Sequence, residues 1–201
     1  MFEPVKIAAV IISYFIGNIS PAILIGRLTG IDIRKVGSGN AGTTNVLRVL
    51  GKKAAVATLF IDIIKGVAAV LIGRYIGGQE VALACCLAVM LGHIWPAVFA
   101  FRGGKGIATA FGAVITLEPL LGLIEAAVAL ILIFFSKRVS VGSIIAALLL
   151  PLLSYLFDPR YLTWTAVMAV IVLFKHRANF VRLLKGEEPK VSFSKQEEKN
   201  E

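Results

Sequence analysis

Long apolar runs separated by short polar breaks dominate this sequence. Residues 7–26 contain no charged side chain, and a helix of that length crosses a bilayer core of about 30 Å. The same pattern recurs along the chain, with charge, glycine or proline at each break. It gives seven apolar segments: residues 2–28, 54–76, 81–101, 107–117, 120–135, 141–157 and 161–174. The pattern therefore predicts an all-α integral membrane protein with seven transmembrane helices.

The basic residues are concentrated in every second break. Residues 27–53, 102–105, 137–138 and 175–201 hold six, two, two and seven lysines and arginines. The turns between them, residues 77–80, 118–119 and 158–160, contain one arginine. Because short loops rich in lysine and arginine stay in the cytoplasm, this alternation predicts an N-terminus outside, a cytoplasmic C-terminus and seven crossings.

Residues 107–117 form the weakest of the seven segments. Eleven helical residues rise about 16 Å, which is less than the thickness of the bilayer core. One long span over residues 107–135 would place Lys137 and Arg138 outside, against the alternation of charge. We therefore expect two short segments that form a hairpin, with a re-entrant segment as the alternative.

The C-terminal end differs in composition from the rest of the chain. Residues 189–201 are charged and hold few apolar side chains, a composition typical of disordered segments. The sequence thus predicts a membrane domain at residues 1–188 and a disordered polar tail at residues 189–201.

Composition and charge exclude several classes of protein. Apolar residues make up 58% of the chain and charged residues 16%, more apolar surface than a soluble domain of this size buries. The net charge is +9, but the basic residues form no patch interleaved with exposed aromatics, so we expect no nucleic-acid partner. Cys85 and Cys86 are adjacent inside an apolar run, which suits neither a disulfide nor a zinc site.

The first polar cluster covers residues 34–48 and reads R-K-V-G-S-G-N-A-G-T-T-N-V-L-R. Its glycines let the backbone turn closely around a ligand, and successive N–H groups of such a turn bind anions. Arg48 suits a bidentate contact with phosphate. No Gly-Lys-Ser/Thr follows, so a nucleotide-binding P-loop is not indicated. The alternative is a flexible glycine loop before an amphipathic helix that Thr43 or Thr44 caps.

The second cluster joins G-H-I-W-P at residues 92–96 to F-R-G-G-K-G at residues 101–106. An apolar helix is expected to begin near Ile107, and its free N–H groups together with Lys105 would attract an anion. The alternative for this turn is an ordinary basic loop between two spans. The alternative for His93 is a packed polar side chain.

The third cluster has two parts. Ser140, the expected N-cap, and Ser143 open the segment that follows Arg138. In the second part, K-H-R-A-N-F-V-R-L-L-K-G-E-E at residues 175–188, His176 and Asn179 share one helix face that Arg182 continues. The alternative for this basic amphipathic helix is an anchor for anionic lipid headgroups.

Three ionisable residues lie within the apolar segments, where such groups are usually functional. Asp62 and Lys65 are three residues apart and are able to neutralise each other on one helix. Glu125 has no obvious partner in the sequence. The first two are most simply a structural pair, and the role of Glu125 stays open.

Together, the three clusters place groups suited to binding anions on one side of the membrane. No cysteine nucleophile and no serine–histidine–carboxylate triad is recognisable, so the residues favour positioning and charge stabilisation over covalent catalysis. A small transporter of phosphate or organophosphate is the competing interpretation, and a lipid-binding structural protein is a third.

The motifs in their order resemble the bacterial membrane acyl-phosphate:glycerol-3-phosphate acyltransferases. They are G-S-G-N-A-G-T-T-N-V-L-R, G-H-I-W-P…F-R-G-G-K-G-I-A-T, V-S-V-G-S and H-R-A-N-F-V-R-L-L-K-G-E-E, and the likeness covers nearly the whole chain. Other glycerol-phosphate acyltransferases carry an H-x4-D motif, whereas valine occupies the aspartate position after both His93 and His176.

The resemblance implies a seven-span enzyme of the bacterial inner membrane whose active site faces the cytoplasm. It would transfer a fatty acyl group from acyl phosphate to the 1-hydroxyl of sn-glycerol 3-phosphate, giving lysophosphatidic acid and phosphate. Its partners would be these two substrates and membrane lipid, with no metal and no cofactor. A monomer is consistent with the sequence, which fixes no oligomeric state.

The resemblance also assigns roles to residues of this chain. Catalytic roles fall on the residues expected around the attacking hydroxyl and the departing phosphate: Arg48, Lys105, Ser143, His176 and Asn179. Substrate-binding roles fall on members of all the motifs: Ser38, Gly39, Asn40, Thr43, Asn45, His93, Gly103, Gly104, Arg182 and Glu188. The acyl chain would lie in a groove between helices that opens to lipid.

Overall fold

The computed structural model describes residues 3–191, and this part of the chain is all-helical, without a strand. The predicted all-α class is confirmed for these residues. One 3₁₀ turn lies at Ala97–Phe99. The eight α-helices run in chain order as follows: α1 Pro4–Asn18, α2 Pro21–Leu28, α3 Thr43–Ile94, α4 Ile107–Leu117, α5 Pro119–Ser136, α6 Val139–Phe157, α7 Tyr161–Lys175 and α8 Arg177–Leu184.

Four stretches are long and apolar enough to cross a bilayer: Pro4–Leu28, Thr43–Phe99, Pro119–Ser136 and Val139–Phe157. Two shorter apolar helices, Ile107–Leu117 and Tyr161–Lys175, accompany them. Large apolar side chains point outward from these helices, among them Phe60, Leu130 and Phe135, which is 78% exposed. A surface of this kind is stable in lipid and not in water.

Helix α3 consists of three helical segments. Gly51 (φ 83°) interrupts it after its first two turns, and Gly77 and Gly78 interrupt it again, with Gly78 at φ 68°. A left-handed φ is readily available only to glycine, so these residues fix where the helix changes direction. The second interruption confirms the boundary predicted between residues 76 and 81.

The first apolar segment lies where the sequence predicts it but is not one continuous helix. Helix α1 ends at Asn18, and α2 begins at Pro21 after two extended residues, Ile19 and Ser20. Proline lacks a backbone N–H and disfavours helical geometry in the residue before it. The break leaves backbone carbonyls of this segment without helical partners.

The two short segments predicted after residue 106 are confirmed. Helix α4 ends at Leu117, Glu118 is extended, and α5 begins at Pro119. Gly122 of α5 packs so closely on Ile115 of α4 that any side chain at Gly122 would collide with it. The two helices therefore pack against each other immediately after the turn.

Small residues allow the central helices to approach closely, as is usual in membrane proteins. Gly66 of α3 faces the backbone of Thr109 and Ala113 in α4, and Gly112 faces the backbone of Ile63. In the last segment of α3, Gly92 faces the carbonyl of Tyr14 in α1. Helix α3 is therefore held between α1 and α4.

Two expected helix caps are wrong. Gly42, rather than Thr43 or Thr44, is the N-cap of α3. Arg138, rather than Ser140, is the N-cap of α6. Ser140 lies inside the first turn because its hydroxyl has another partner, the carboxylate of Glu188.

Candidate active site

The glycine loop before α3 is shaped by Asn45. The Asn45 side chain accepts a hydrogen bond from the Ser38 N–H (2.8 Å) and donates to the carbonyls of Ile33 and Val36 (3.0 Å each). The side chain is buried, and Gly37 and Gly39 supply the left-handed turns around it. Asn45 was expected to bind substrate, but its amide is occupied by the backbone, so it holds the loop in shape.

The tip of this loop is open to a ligand. Ser38 is exposed, and Gly39 and Asn40 are half-buried beside it. The Thr43 hydroxyl oxygen is buried and has no hydrogen-bond partner within residues 3–191. These four residues line the start of α3, where free N–H groups and the positive end of the helix dipole favour an anion.

Arg48 lies on α3 just beyond this loop and is exposed. Its guanidinium forms no hydrogen bond or ion pair within the described residues. Its charge nevertheless acts on Lys105 and lowers the pKa of that ammonium group. The structure therefore brings the first and second clusters together, with one cation free to bind a ligand.

The second cluster folds back on the end of α3. The N–H groups of Gly103 and Gly104 donate to the carbonyls of Ile94 and His93, at 3.2 Å each. The two glycines were expected to bind substrate, but these contacts occupy their N–H groups. Lys105 follows these two glycines, and Gly106 (φ 87°) is the N-cap of α4. Lys105 is therefore the side chain that this loop offers to a ligand.

The half-buried Lys105 ammonium group donates to the Asn179 side-chain oxygen. Burial lowers the pKa of Lys105 to about 8, and the positive charges of Arg182 and Arg48 act in the same direction, against the opposing effect of Glu188. A lysine in this state is charged at neutral pH but loses its proton more readily than a surface lysine. The second and third clusters are therefore in direct contact.

The Glu188 carboxylate is the hub of the third cluster. One oxygen accepts hydrogen bonds from Ser140 (2.8 Å) and Asn179 (2.7 Å), and the other pairs with Arg182 at 2.8 Å. Burial raises the pKa of Glu188, but these hydrogen bonds and the Arg182 charge outweigh it and keep the pKa below its usual value. Glu188 therefore joins α6 to α8 as an ionised carboxylate.

Two residues without a predicted site role, Ser140 and Arg138, complete this arrangement. Ser140 binds Glu188 as described, and Arg138 donates from Nε to the Glu188 carbonyl at 3.0 Å. The Val191 N–H donates to the carbonyl of Lys137 at 2.7 Å. The predicted tail is thus attached as far as residue 191, and residues 192–201 lie outside the described part. The only signal for these contacts in the sequence was that Ser140 belongs to the V-S-V-G-S motif and Arg138 directly precedes it.

His176 is the imidazole nearest to this cluster. It is 3% exposed, and its Nδ1 lies 2.9 Å from the Val172 carbonyl, which makes Nδ1–H the donor and leaves Nε2 as an acceptor. Burial and the Lys105 charge lower the pKa of His176 to about 4. The ring is therefore neutral at physiological pH. Ser143 is buried on α6, one turn beyond Ser140, and its hydroxyl is unpartnered within residues 3–191.

His93 does not join these groups. It is buried on α3, and its Nδ1 lies 2.8 Å from Lys65 Nζ and 3.2 Å from Asp62 Oδ1. Asp62 and Lys65 form the expected ion pair, at 2.7 Å. Within residues 3–191, histidine, cysteine and carboxylate side chains form no group of three that suits a metal ion.

The fold and this site define a class of protein. Apolar helices with outward-facing large side chains carry a cluster of cationic, hydroxyl and amide side chains at their polar connections. The cluster combines Arg48, Lys105 and Arg182 with a single carboxylate, Glu188, so its charge favours anionic ligands. This is an integral membrane protein with a positively charged polar cluster at its helix connections.

Comparison with known proteins identifies the family. The glycerol-3-phosphate acyltransferase family model matches residues 7–186. A glycerol-3-phosphate acyltransferase of Thermoanaerobacter sp. (strain X514) is 47% identical over 184 residues, covering 90% of this chain and 93% of that protein. One of Neisseria meningitidis (strain FAM18) is 43% identical over 195 residues, with 92% and 97% covered.

Two solved structures share the fold. Both are of PlsY, an integral membrane glycerol 3-phosphate acyltransferase. The glycerol 3-phosphate form has a TM-score of 0.89 and 37% identity, covering 93% of this chain and 96% of that one. The lysophosphatidic acid form has a TM-score of 0.86 and 36% identity, with 93% and 95% covered. The chain belongs to the glycerol-3-phosphate acyltransferase family and is an integral membrane enzyme.

Proposed function

We propose that the protein transfers a fatty acyl group from acyl phosphate to the 1-hydroxyl of sn-glycerol 3-phosphate, giving lysophosphatidic acid and phosphate. One observation carries this proposal: two cationic positions, Arg48 and Lys105, lie beside a neutral imidazole and a carboxamide, His176 and Asn179. Such a site binds two phosphorylated molecules and orients a hydroxyl. It offers no protein nucleophile, so direct transfer between the substrates fits best.

In the proposed reaction, the glycerol 3-phosphate oxygen attacks the carbonyl carbon of the mixed anhydride. The new C–O ester bond forms, and the bond between that carbon and the phosphate oxygen breaks. The Gly103–Lys105 loop binds the phosphate of glycerol 3-phosphate through the Lys105 ammonium group. Arg48, together with Lys105, stabilises the negative charge on the departing phosphate. That phosphate accepts the hydroxyl proton, because it is a stronger base than His176, whose pKa is about 4.

His176 and its neighbours position the attacking hydroxyl in this mechanism. The free Nε2 of His176 accepts a hydrogen bond from the hydroxyl. Ser143 and Asn179 are the other side chains to which the proposal assigns contacts with this hydroxyl. Arg182 and Glu188 hold Asn179 in place. Ser38, Gly39, Asn40 and Thr43 bind the phosphate of the acyl donor at the start of α3. The acyl chain occupies a groove between helices that opens to lipid.

The same proposal includes a location and a topology. Seven crossings with the N-terminus outside would place all four basic connections, and with them the site, on the cytoplasmic face of the bacterial inner membrane. Residues 1–188 then form the catalytic unit.

Product analysis tests the function. Purified protein mixed with acyl phosphate and glycerol 3-phosphate should release phosphate and form lysophosphatidic acid, and acyl-CoA should not replace acyl phosphate. A phosphate transporter would instead catalyse counterflow in sealed vesicles without a new acyl product. A lipid-binding structural protein would do neither. Transfer from acyl-CoA alone would contradict the proposed donor.

Single introduced cysteines test the topology. Cys85 and Cys86 are both buried and should not react. Glu80→Cys and Lys185→Cys place exposed thiols at connections predicted to lie on opposite sides. In intact cells a membrane-impermeant maleimide should label position 80 and leave position 185 unlabelled until the membrane is opened. The reverse pattern would contradict the orientation.

A further inference from the structure

A buried charged cluster lies next to the site and takes no part in the mechanism above. Lys65 Nζ is 2.7 Å from Asp62 Oδ1 and 2.8 Å from His93 Nδ1, and all three side chains are at most 5% exposed. Ionisable side chains are costly inside a membrane protein and are seldom kept without a role. None of the three contacts Arg48, Lys105 or the Glu188 hub within residues 3–191.

The charges of this cluster cancel. An ammonium group has only donors, so His93 Nδ1 accepts from Lys65 and the ring proton is on Nε2. The neutral ring leaves one carboxylate and one ammonium group in contact. A neutral cluster adds little to the field that attracts a phosphate, so its contribution to the site must come from geometry.

Lys65 also fixes the break in the first apolar segment. Its ammonium group donates to the carbonyls of Gly17 (3.1 Å) and Ile19 (2.7 Å), which lie at the end of α1. These carbonyls have no backbone partner because α1 stops at Asn18. One side chain thereby ties α1 to the middle of α3 and to His93.

His93 connects this anchor to the glycine loop of the second cluster. The Gly104 N–H donates to the His93 carbonyl at 3.2 Å, and any side chain at Gly104 would collide with His93 Nε2. The carbonyl of Ala41, from the first loop, lies against the same side of Gly104. The His93 ring and the first loop thus pack against one face of Gly104, and Lys105 is next in the chain.

We propose that Asp62, Lys65 and His93 are positioning residues for glycerol 3-phosphate. They fix the position of Gly104 and so determine where the Lys105 ammonium group contacts the phosphate of glycerol 3-phosphate. This inference rests on the proposed function of the Lys105 loop. It assigns to the buried cluster a specific effect on one substrate, in addition to any effect on stability.

The double variant Asp62→Asn/Lys65→Met tests the proposal, because removing both charges leaves neither one buried alone. It should raise the KM for glycerol 3-phosphate about tenfold and leave the KM for acyl phosphate within about twofold. The control is Ser154→Ala/Thr165→Val, which removes another buried polar pair, 2.7 Å apart, from α6 and α7. That control should change neither KM, even where the thermal midpoint falls.

Two substitutions of His93 give an independent readout. An asparagine amide reproduces the Nδ1 side of histidine, so His93→Asn should restore most of the affinity for glycerol 3-phosphate that His93→Leu loses. If the double variant does not fold, the comparison of these two His93 variants still tests the proposal. Equal KM values for glycerol 3-phosphate in His93→Leu and the unaltered enzyme would overturn the proposal.

Lys105→Ala separates this inference from the function on which it rests. If Lys105→Ala raises the KM for glycerol 3-phosphate and the His93 variants do not, the positioning role is wrong and the loop assignment stands. If Lys105→Ala also leaves that KM unchanged, the assignment of the loop to the substrate phosphate is itself wrong.

Discussion

Arg48 and Asn45 belong to the same motif but have different roles in the structure. Asn45 directs its whole amide to the backbone of the loop, whereas Arg48 is exposed and unpaired within residues 3–191. A side chain without protein partners contributes little to the fold, and its charge is available to a ligand. Substitutions at these two positions should therefore fail in different ways.

Arg48→Ala should reduce kcat/KM at least ~10²-fold, because its guanidinium stabilises the charge that develops on the departing phosphate, and it should change the thermal midpoint little, because the guanidinium has no protein partner within residues 3–191. Steady-state phosphate release and a thermal unfolding curve of the same sample provide the measurement. Lys35→Ala, which removes an exposed cation from the same loop, is the matched control and should retain nearly full activity. An active Arg48→Ala enzyme would remove Arg48 from the mechanism.

Asn45→Ala should lower the thermal midpoint as well as the activity. It leaves the Ser38 N–H and the carbonyls of Ile33 and Val36 without their partner, at about 1–3 kcal/mol for each buried polar group left unsatisfied. Unfolding curves in detergent measure the loss. An unchanged midpoint with reduced affinity for acyl phosphate would instead restore Asn45 to the substrate-binding residues.

Lys105 gives the enzyme a dependence on pH. Its pKa is about 8, so the free enzyme loses this positive charge as the pH rises through that value. We expect kcat/KM for glycerol 3-phosphate to fall above about pH 8, since kcat/KM reports the ionisation of the free enzyme. In Lys105→Arg the guanidinium stays charged, and this fall should disappear even if the maximal activity is lower. A fall that persists in Lys105→Arg belongs to another group.

At the scale of helices, the apolar runs and the positions of lysine and arginine predicted most boundaries. The turn at Glu118 and the interruption at Gly77 and Gly78 followed from segment length and glycine content. The break at Ile19 and Ser20 did not, because hydropathy does not distinguish a continuous helix from one interrupted by proline. The Ser140–Glu188 contact joins residues 48 positions apart, and helical periodicity describes only one helix at a time.

The junction of α6 and α8 should respond to pH through Glu188. Its pKa lies below the usual value in the folded protein. Its ionised form therefore stabilises the fold above the unfolded pKa, and this contribution is lost as the pH falls through the lower, folded pKa. Glu188→Gln should lower the thermal midpoint near neutral pH, and the difference from the unaltered protein should shrink as the pH falls below the ordinary pKa of glutamate. A difference that is constant with pH would contradict this role.

The whole molecule draws its site from both halves of the chain. The first loop and Arg48 come from the N-terminal part, Lys105 from the middle, and Asn179 and Glu188 from the last helices. Spans contribute the framework, and their polar connections contribute the chemistry. This explains why basic residues mark the site in the sequence while their pairwise contacts become visible only in the fold.

Glu188 also has a consequence for the order of events during synthesis. The carboxylate that fixes Asn179 and Ser140 follows all the predicted apolar segments in the chain. A growing polypeptide will therefore have passed every apolar segment before α8 is fixed to α6. Under the proposed function, a chain that has not yet been synthesised as far as Glu188 is not expected to transfer an acyl group.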